Sequence, residues 1–186
     1  MTMETTSTSG EVVGAVLFTD LVGFTEFNDT EGDDAALRVL DHQTELMRGI
    51  VDRHDDARIV KELGDGLMVW FASPLAAVEG GAEMLAGVAR LRSASSFPMA
   101  IRMGLHHGEM LARGDDFIGI TVNIAARVAD LAGPGELLVS EATVDACRER
   151  PATRLEPVGP AFVKGVADPI WLVRVSSNDR EPTAHA

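Results

Sequence analysis

The 186 residues contain a single cysteine, Cys147, which excludes an internal disulfide and any zinc centre built on paired cysteines. No apolar run is long enough to span a bilayer, and residues 1–10 lack the basic and apolar stretches of a secretory leader. The chain is therefore expected in the cytoplasm, without a membrane partner. Basic residues are scarce: 16 Lys and Arg against 29 Asp and Glu leave a net charge of −13. A nucleic-acid binder needs the opposite, a basic face. An anionic small substrate stays possible, because a few local cations and bound metal can reverse the potential inside a cleft.

What is present has the composition of a globular protein, 46% hydrophobic and 24% charged, and the length suits one domain with a real core. Residues 1–10 are expected to be disordered, 11–175 to form the folded domain, and 176–186 to be a flexible tail.

Gly64-Asp65-Gly66 lies between two runs of strand-forming residues within Arg58 to Phe71. Glycines flanking Asp between such runs predict a hairpin with Asp65 at its tip. Taken alone, such a tip is more often a solvated surface turn. A second carboxylate changes the balance. The strand Gly10 to Thr19 runs straight into Asp20-Leu21-Val22-Gly23-Phe24-Thr25, an Asp at a strand end followed by a bend into a helical segment. If the two strands are neighbours, Asp20 and Asp65 converge on Mg²⁺ or Mn²⁺, and the free N–H groups of the next helical turn can receive phosphate oxygens.

Leu37, Leu40, Met47, Ile50 and Val51 recur at helical spacing within Asp33 to His54 and predict an amphipathic helix whose apolar stripe is core. Ser73-Pro74 caps a second helix reaching Leu91. Met99 to His107 reads as a strand ending at Gly108. Glu109 to Arg113 reads as another strand, Gly114 to Gly119 as a loop, and Thr121 to Leu131 as a helix. Strand Glu136 to Ser140, short helix Glu141 to Arg148 and strands Thr153 to Val158 and Ile170 to Val175 complete the chain. The expected fold class is α+β: a ferredoxin-like split βαβ core, βαββαβ, with a C-terminal αβαββ extension on a mostly antiparallel sheet. The adjacent His106 and His107 face opposite sides of their strand, so joint metal ligation is not expected.

Together these segments resemble the catalytic domain of class III nucleotidyl cyclases, the adenylyl and guanylyl cyclases. The motifs are Asp20 to Thr25, Lys61-Glu62-Leu63-Gly64-Asp65, Ile101 to Gly108, Asp116 through Gly119 to Asn123 and Arg127, and Phe162-Val163-Lys164-Gly165. The resemblance implies conversion of ATP to 3′,5′-cyclic AMP and pyrophosphate with two divalent cations, Mg²⁺ or Mn²⁺, per site. It assigns Asp20, Asp65 and Leu21 to the metals, and Lys61 and Asp116 to the adenine base. Arg102, Lys164, Phe24 and Thr25 fall to the rest of the substrate, and Asn123 and Arg127 to the transition state. Lysine as donor and aspartate as acceptor complement adenine N1 and N6, whereas guanylyl cyclases of the family typically place glutamate and a cysteine-like residue there. No side chain stands out as a dedicated base; Asp20, water and the substrate are all open to the proton.

In the family the site is shared between two protomers in a head-to-tail wreath. One chain carrying both sets of residues implies a homodimer, with any regulatory domain or protein lying outside this stretch. The rival readings are a guanylyl or mixed-specificity cyclase and a non-catalytic nucleotide-binding homologue. A diguanylate cyclase shares the split βαβ, but its Gly-Gly-Asp/Glu-Glu-Phe hairpin is missing.

Overall fold

The computed structural model describes residues 10–94 and 97–176; the expected disordered N-terminus and flexible tail fall outside these residues apart from Gly10 and Ser176. Strand β1 (Gly10–Val22) leads through a left-handed Gly23 into α1 (Phe24–Glu31) and α2 (Asp33–Val51). The hairpin β2 (Ala57–Leu63) and β3 (Gly66–Phe71) follows, then α3 (Pro74–Ser93), whose Ser73 hydroxyl accepts the Ala76 N–H as an N-cap. Next come β4 (Ala100–Arg113), β5 (Asp116–Ile118), α4 (Ile120–Leu131), β6 (Glu136–Ser140), α5 (Glu141–Asp145), β7 (Arg154–Ala161) and β8 (Ile170–Ser176).

One sheet runs in the order β2-β3-β1-β4-β6-β8-β7, with β5 paired to β4. Among the described residues only β4 and β6 pair in parallel. The first four strands in this order are those of the expected ferredoxin-like core. Along β1 the side chains alternate: Ala15, Leu17 and Leu21 meet α2 and α3 in the main core, while Val16 joins Met68, Met110, Phe117 and Ala125 on the opposite face, under α4. No helix among the described residues is long and apolar enough to cross a membrane.

Five expectations change. Gly108 does not end a strand; β4 continues unbroken to Arg113, paired with β1 from Ala100 to Ala112. Gly104 and Gly108 instead seat α4 against the strand backbone. A Cβ at Gly104 would lie 2.0 Å from the Ala129 nitrogen, and one at Gly108 would lie 2.7 Å from the Thr121 hydroxyl. The loop Gly114 to Gly119 contains the short strand β5, folded back on β4 with Asp116 opposite Arg113. On α2, Leu37 is 58% exposed although it belongs to the apolar stripe, and Gln43 is buried in the core face instead. The short helix also stops at Asp145, and β7 extends to Ala161. Gly104→Ala should therefore cost about 1–3 kcal/mol or more, because the new methyl meets helix backbone that has no rotamer with which to yield. Urea unfolding measures the loss.

Candidate active site

Three local devices bring the expected residues together. At the hairpin tip, a Cβ on Gly66 would lie 2.3 Å from the Thr19 carbonyl oxygen, so only glycine lets the tip press against β1. The Thr19 hydroxyl then accepts the Leu67 N–H at 3.0 Å. Asp65 arrives beside Asp20, where the backbone N–H groups of Leu21 and of Asp65 itself favour the charged carboxylate. Burial, and then the charge of Asp20, push the Asp65 carboxyl above the usual carboxylate range. A divalent cation would relieve the unfavourable charge that Asp20 and burial impose on Asp65.

The second device is register. Asp20 stands directly opposite Arg102 across the β1–β4 pair, and the guanidinium grips its Oδ2 from Nε at 2.7 Å and from Nη2 at 2.6 Å. Among the described residues no cluster of three or more metal-ligating side chains forms. The carboxylates of Asp20 and Asp65 are thus the side chains available to an ion there. The Leu21 side chain is buried in the main core, so Leu21 could contribute only its backbone.

The third device is a bulge. On β2, Ile59 lies opposite Val69 but Lys61 lies opposite Met68, with Val60 inserted between. In a regular strand Lys61 would point with Ile59 into the main core. The extra residue turns it to the other face, with Arg58 and Trp70. There the Lys61 ammonium meets the Asp116 carboxylate at 2.7 and 2.9 Å, and Asp116 Oδ1 also accepts the Phe117 N–H at 2.8 Å. The Lys61 hydrogen bond, supported by that N–H, holds the Asp116 carboxyl below its usual range.

Asn123 and Arg127 are exposed one turn apart on α4, where Arg127 pairs with Asp130 at 3.3 Å. Phe24 packs on the main core and Thr25 is exposed, both in the first turn of α1. Lys164 is exposed in the loop between β7 and β8. The protomer thus gathers Asp20, Asp65 and Arg102 in one group and Lys61 and Asp116 in a second. No ion pair or hydrogen bond joins the two groups, or ties Asn123, Arg127 or Lys164 to either, among the described residues. Sequence reasoning missed Thr19, Gly66 and the Val60 insertion as supports. Gly66 was readable as a glycine after the tip, but a one-residue register shift leaves no trace in composition.

His106 and His107 do face opposite sides. His106 Nδ1 lies 2.7 Å from the Ser140 hydroxyl, which itself lies 2.8 Å from the Thr143 hydroxyl; the His107 N–H donates to Thr143. Burial, and then His107, lower His106 to about 4. Because its folded value lies below the ordinary 6.5, the unfolded chain takes up the proton first. Stability is full above pH 6.5 and falls as pH drops toward 4, by about 3 kcal/mol from this residue. Urea unfolding of wild type and His106→Asn at pH 7 and pH 4.5 isolates the effect as a steeper pH dependence in wild type.

Residues 6–174 match the family described as Adenylate and Guanylate cyclase catalytic domain. A serine/threonine-protein kinase, pkn2, of Myxococcus xanthus is 32% identical over 163 residues, which is 86% of this chain and 19% of the relative. A pH-sensitive adenylate cyclase of Mycobacterium tuberculosis is 27% identical over 165 residues, 86% of this chain and 40% of the relative. The chain therefore spans less than half the length of both. The crystal structure of the adenylyl cyclase CyaB from P. aeruginosa superposes with a TM-score of 0.83 at 26% identity, covering 93% of this chain and 98% of that one. With the match running through every strand that carries the site, the chain belongs to the adenylate and guanylate cyclase catalytic domain family.

Proposed function

We propose that this chain is an adenylyl cyclase that forms 3′,5′-cyclic AMP and pyrophosphate from ATP at sites shared by two copies. The observation that carries the choice of base is the Lys61–Asp116 pair. Lys61 spends two N–H bonds on Asp116, and Asp116 accepts those two plus the Phe117 N–H. An ammonium has three donors and a carboxylate about four acceptor positions, so one donor and one acceptor remain. Adenine presents the complement, an acceptor at N1 and a donor at N6. Guanine presents the reverse.

Asp20 and Asp65 fit two divalent cations, Mg²⁺ or Mn²⁺. When bound, such ions acidify the ribose 3′-hydroxyl and offset the triphosphate charge. The 3′-oxygen forms its bond to the α-phosphorus as the bond to the pyrophosphate oxygen breaks, and the hydroxyl proton leaves to Asp20, water or the substrate. Arg102, next to Asp20, and Lys164 neutralise the β- and γ-phosphates, and the N–H groups of Phe24 and Thr25 at the start of α1 face phosphate oxygens. Arg127 meets the charge growing on the α-phosphate, and Asn123 orients the ribose.

The exposed stripe of α4 supports the shared site. Ile120 and Leu131, both about half exposed, flank Asn123 and Arg127 along one side of the helix. Phe162, 83% exposed, stands two residues from Lys164. Apolar groups ringing functional ones suit a surface covered by a second copy. Lys61 and Asp65, four residues apart, then serve different sites. A regulatory domain or partner protein completes the proposal, with residues 11–175 as the catalytic unit.

The test is product formation from ATP and, separately, GTP with Mn²⁺, resolved by chromatography against cyclic nucleotide standards. Cyclic AMP from ATP in excess over cyclic GMP from GTP is expected. No cyclic product from a folded, dimeric sample would contradict the proposal.

A further inference from the structure

Strand β5 is three residues long and, among the described residues, pairs with β4 alone, whereas Lys61 stands on β2, an edge strand three places from β4 in the sheet order. No strand pairing joins β2 to β5. The two are linked by side chains that form two rungs. One rung is Lys61 to Asp116. The other is Arg58 to Phe117, with the guanidinium carbon 4.8 Å from the ring centroid.

We propose that Arg58 and Phe117 are positioning residues for base reading: Phe117, pinned between Arg58 and Trp70, holds Asp116 in register with Lys61 while the base enters. This rests on the adenine reading given above.

The construction of the second rung supports it. Phe117 is only 4% exposed, and its other neighbour, Trp70, lies 5.3 Å away with the rings tilted by 31°. Trp70 fits because residue 14 is glycine; a Cβ there would lie 2.3 Å from the indole nitrogen. The insertion at Val60 places Arg58 and Lys61 on one face of β2, so both rungs depend on the same bulge. The Phe117 N–H bonds Asp116 Oδ1, which ties the placement of the ring to that of the carboxylate. A base that takes the spare donor of Lys61 and gives to the spare acceptor of Asp116 needs both groups held in register as it binds. The second rung touches no substrate atom and keeps β5 over β2.

The test compares Arg58→Gln, Arg58→Lys, Phe117→Leu and Phe117→Tyr in the homodimer, reading kcat and KM for ATP and the ratio of kcat/KM for ATP over GTP. Arg58→Gln and Phe117→Leu should each raise the ATP KM about three- to thirtyfold, the range a cation–π contact supports, with kcat retained and the ATP preference reduced. Arg58→Lys and Phe117→Tyr should recover most of both. The double variant should be no worse than its weaker parent, since the two act as one contact. Unchanged KM and preference in Arg58→Gln would overturn the inference, as would a loss of kcat that merely follows a lowered melting temperature at constant ATP to GTP ratio. If Phe117→Leu fails to fold, the pair Arg58→Gln and Arg58→Lys decides alone. A wild type with no preference for ATP would overturn the base reading and this inference together. A wild type that prefers ATP, with indifferent variants, would overturn only the inference.

Discussion

Asp65→Ala should make no cyclic nucleotide above background, yet it should not unfold. Burial and the charge of Asp20 already work against ionised Asp65, so removing the carboxylate relieves a repulsion even as it gives up the favourable influence of the nearby backbone N–H groups. Catalysis loses much more. Asp20 would be left to hold the cations alone, while engaged by Arg102 at 2.6–2.7 Å. Linkage supplies a second readout that does not depend on turnover. A cation bound only by the folded protein contributes about 2.7 kcal/mol at a hundred times its Kd, so Mn²⁺ should raise the melting temperature of the wild type and leave that of Asp65→Ala almost unmoved. Equal Mn²⁺ stabilisation of both would remove Asp65 from the metal site. An active Asp65→Ala would remove the two-metal reading altogether.

Lys61→Glu with Asp116→Cys should move the preference from ATP toward GTP. The wild-type pair offers one spare donor and one spare acceptor, in the order adenine requires. Glutamate at 61 offers an acceptor to the guanine N1–H, and cysteine at 116 no longer repels the guanine carbonyl. A mismatched polar group in a base site leaves a desolvated partner unpaired, and sites built on hydrogen bonds reject such analogues by up to about 10⁴–10⁵. This half-exposed pair should discriminate less sharply than that. The measurement is kcat/KM for each nucleotide. Either single variant should lose ATP activity without gaining GTP, because each alone leaves a lysine facing a thiol or two acceptors facing each other. Unchanged ATP preference in the double variant would sink the assignment of these two residues to the base.

Much of this arrangement was readable from local chemistry. The Gly-Asp-Gly hairpin, the amphipathic α2 and the Ser-Pro start of α3 each follow from one short segment, and the structure has them where the pattern puts them, whereas the first strand does not end before Asp20 but stays paired with β4 as far as Val22. The departures occur where a residue answers to something distant. Gly108 looks like a strand breaker, but it is glycine because Thr121 lies against it. Gln43 sits in the core while Leu37 faces outward, since the buried line of α2 runs through Ala36, Val39, Gln43, Met47 and Ile50, and Leu37 stands about 100° round the helix from Ala36. The bulge at Val60 depends on the pairing of β2 with β3, and a run of strand-forming residues reads the same with or without it. Yet that single insertion decides whether Lys61 meets Asp116. The His106–Ser140 contact likewise spans 34 residues of sequence, and neither partner alone points to the other.

The claim most in need of test is that each active site is built from two copies of the chain. On the proposed reading, Asp65→Ala should disable the metal half, and Asn123→Ala the half that a second copy's α4 supplies. Each variant should be inactive alone. When the two are mixed and allowed to exchange subunits, half the dimers are mixed and each has one intact site of two, so activity should return to about a quarter of wild type. Mixed samples that stay inactive, with subunit exchange shown by mass-labelled chains, would place all the catalytic residues in one protomer and contradict the account.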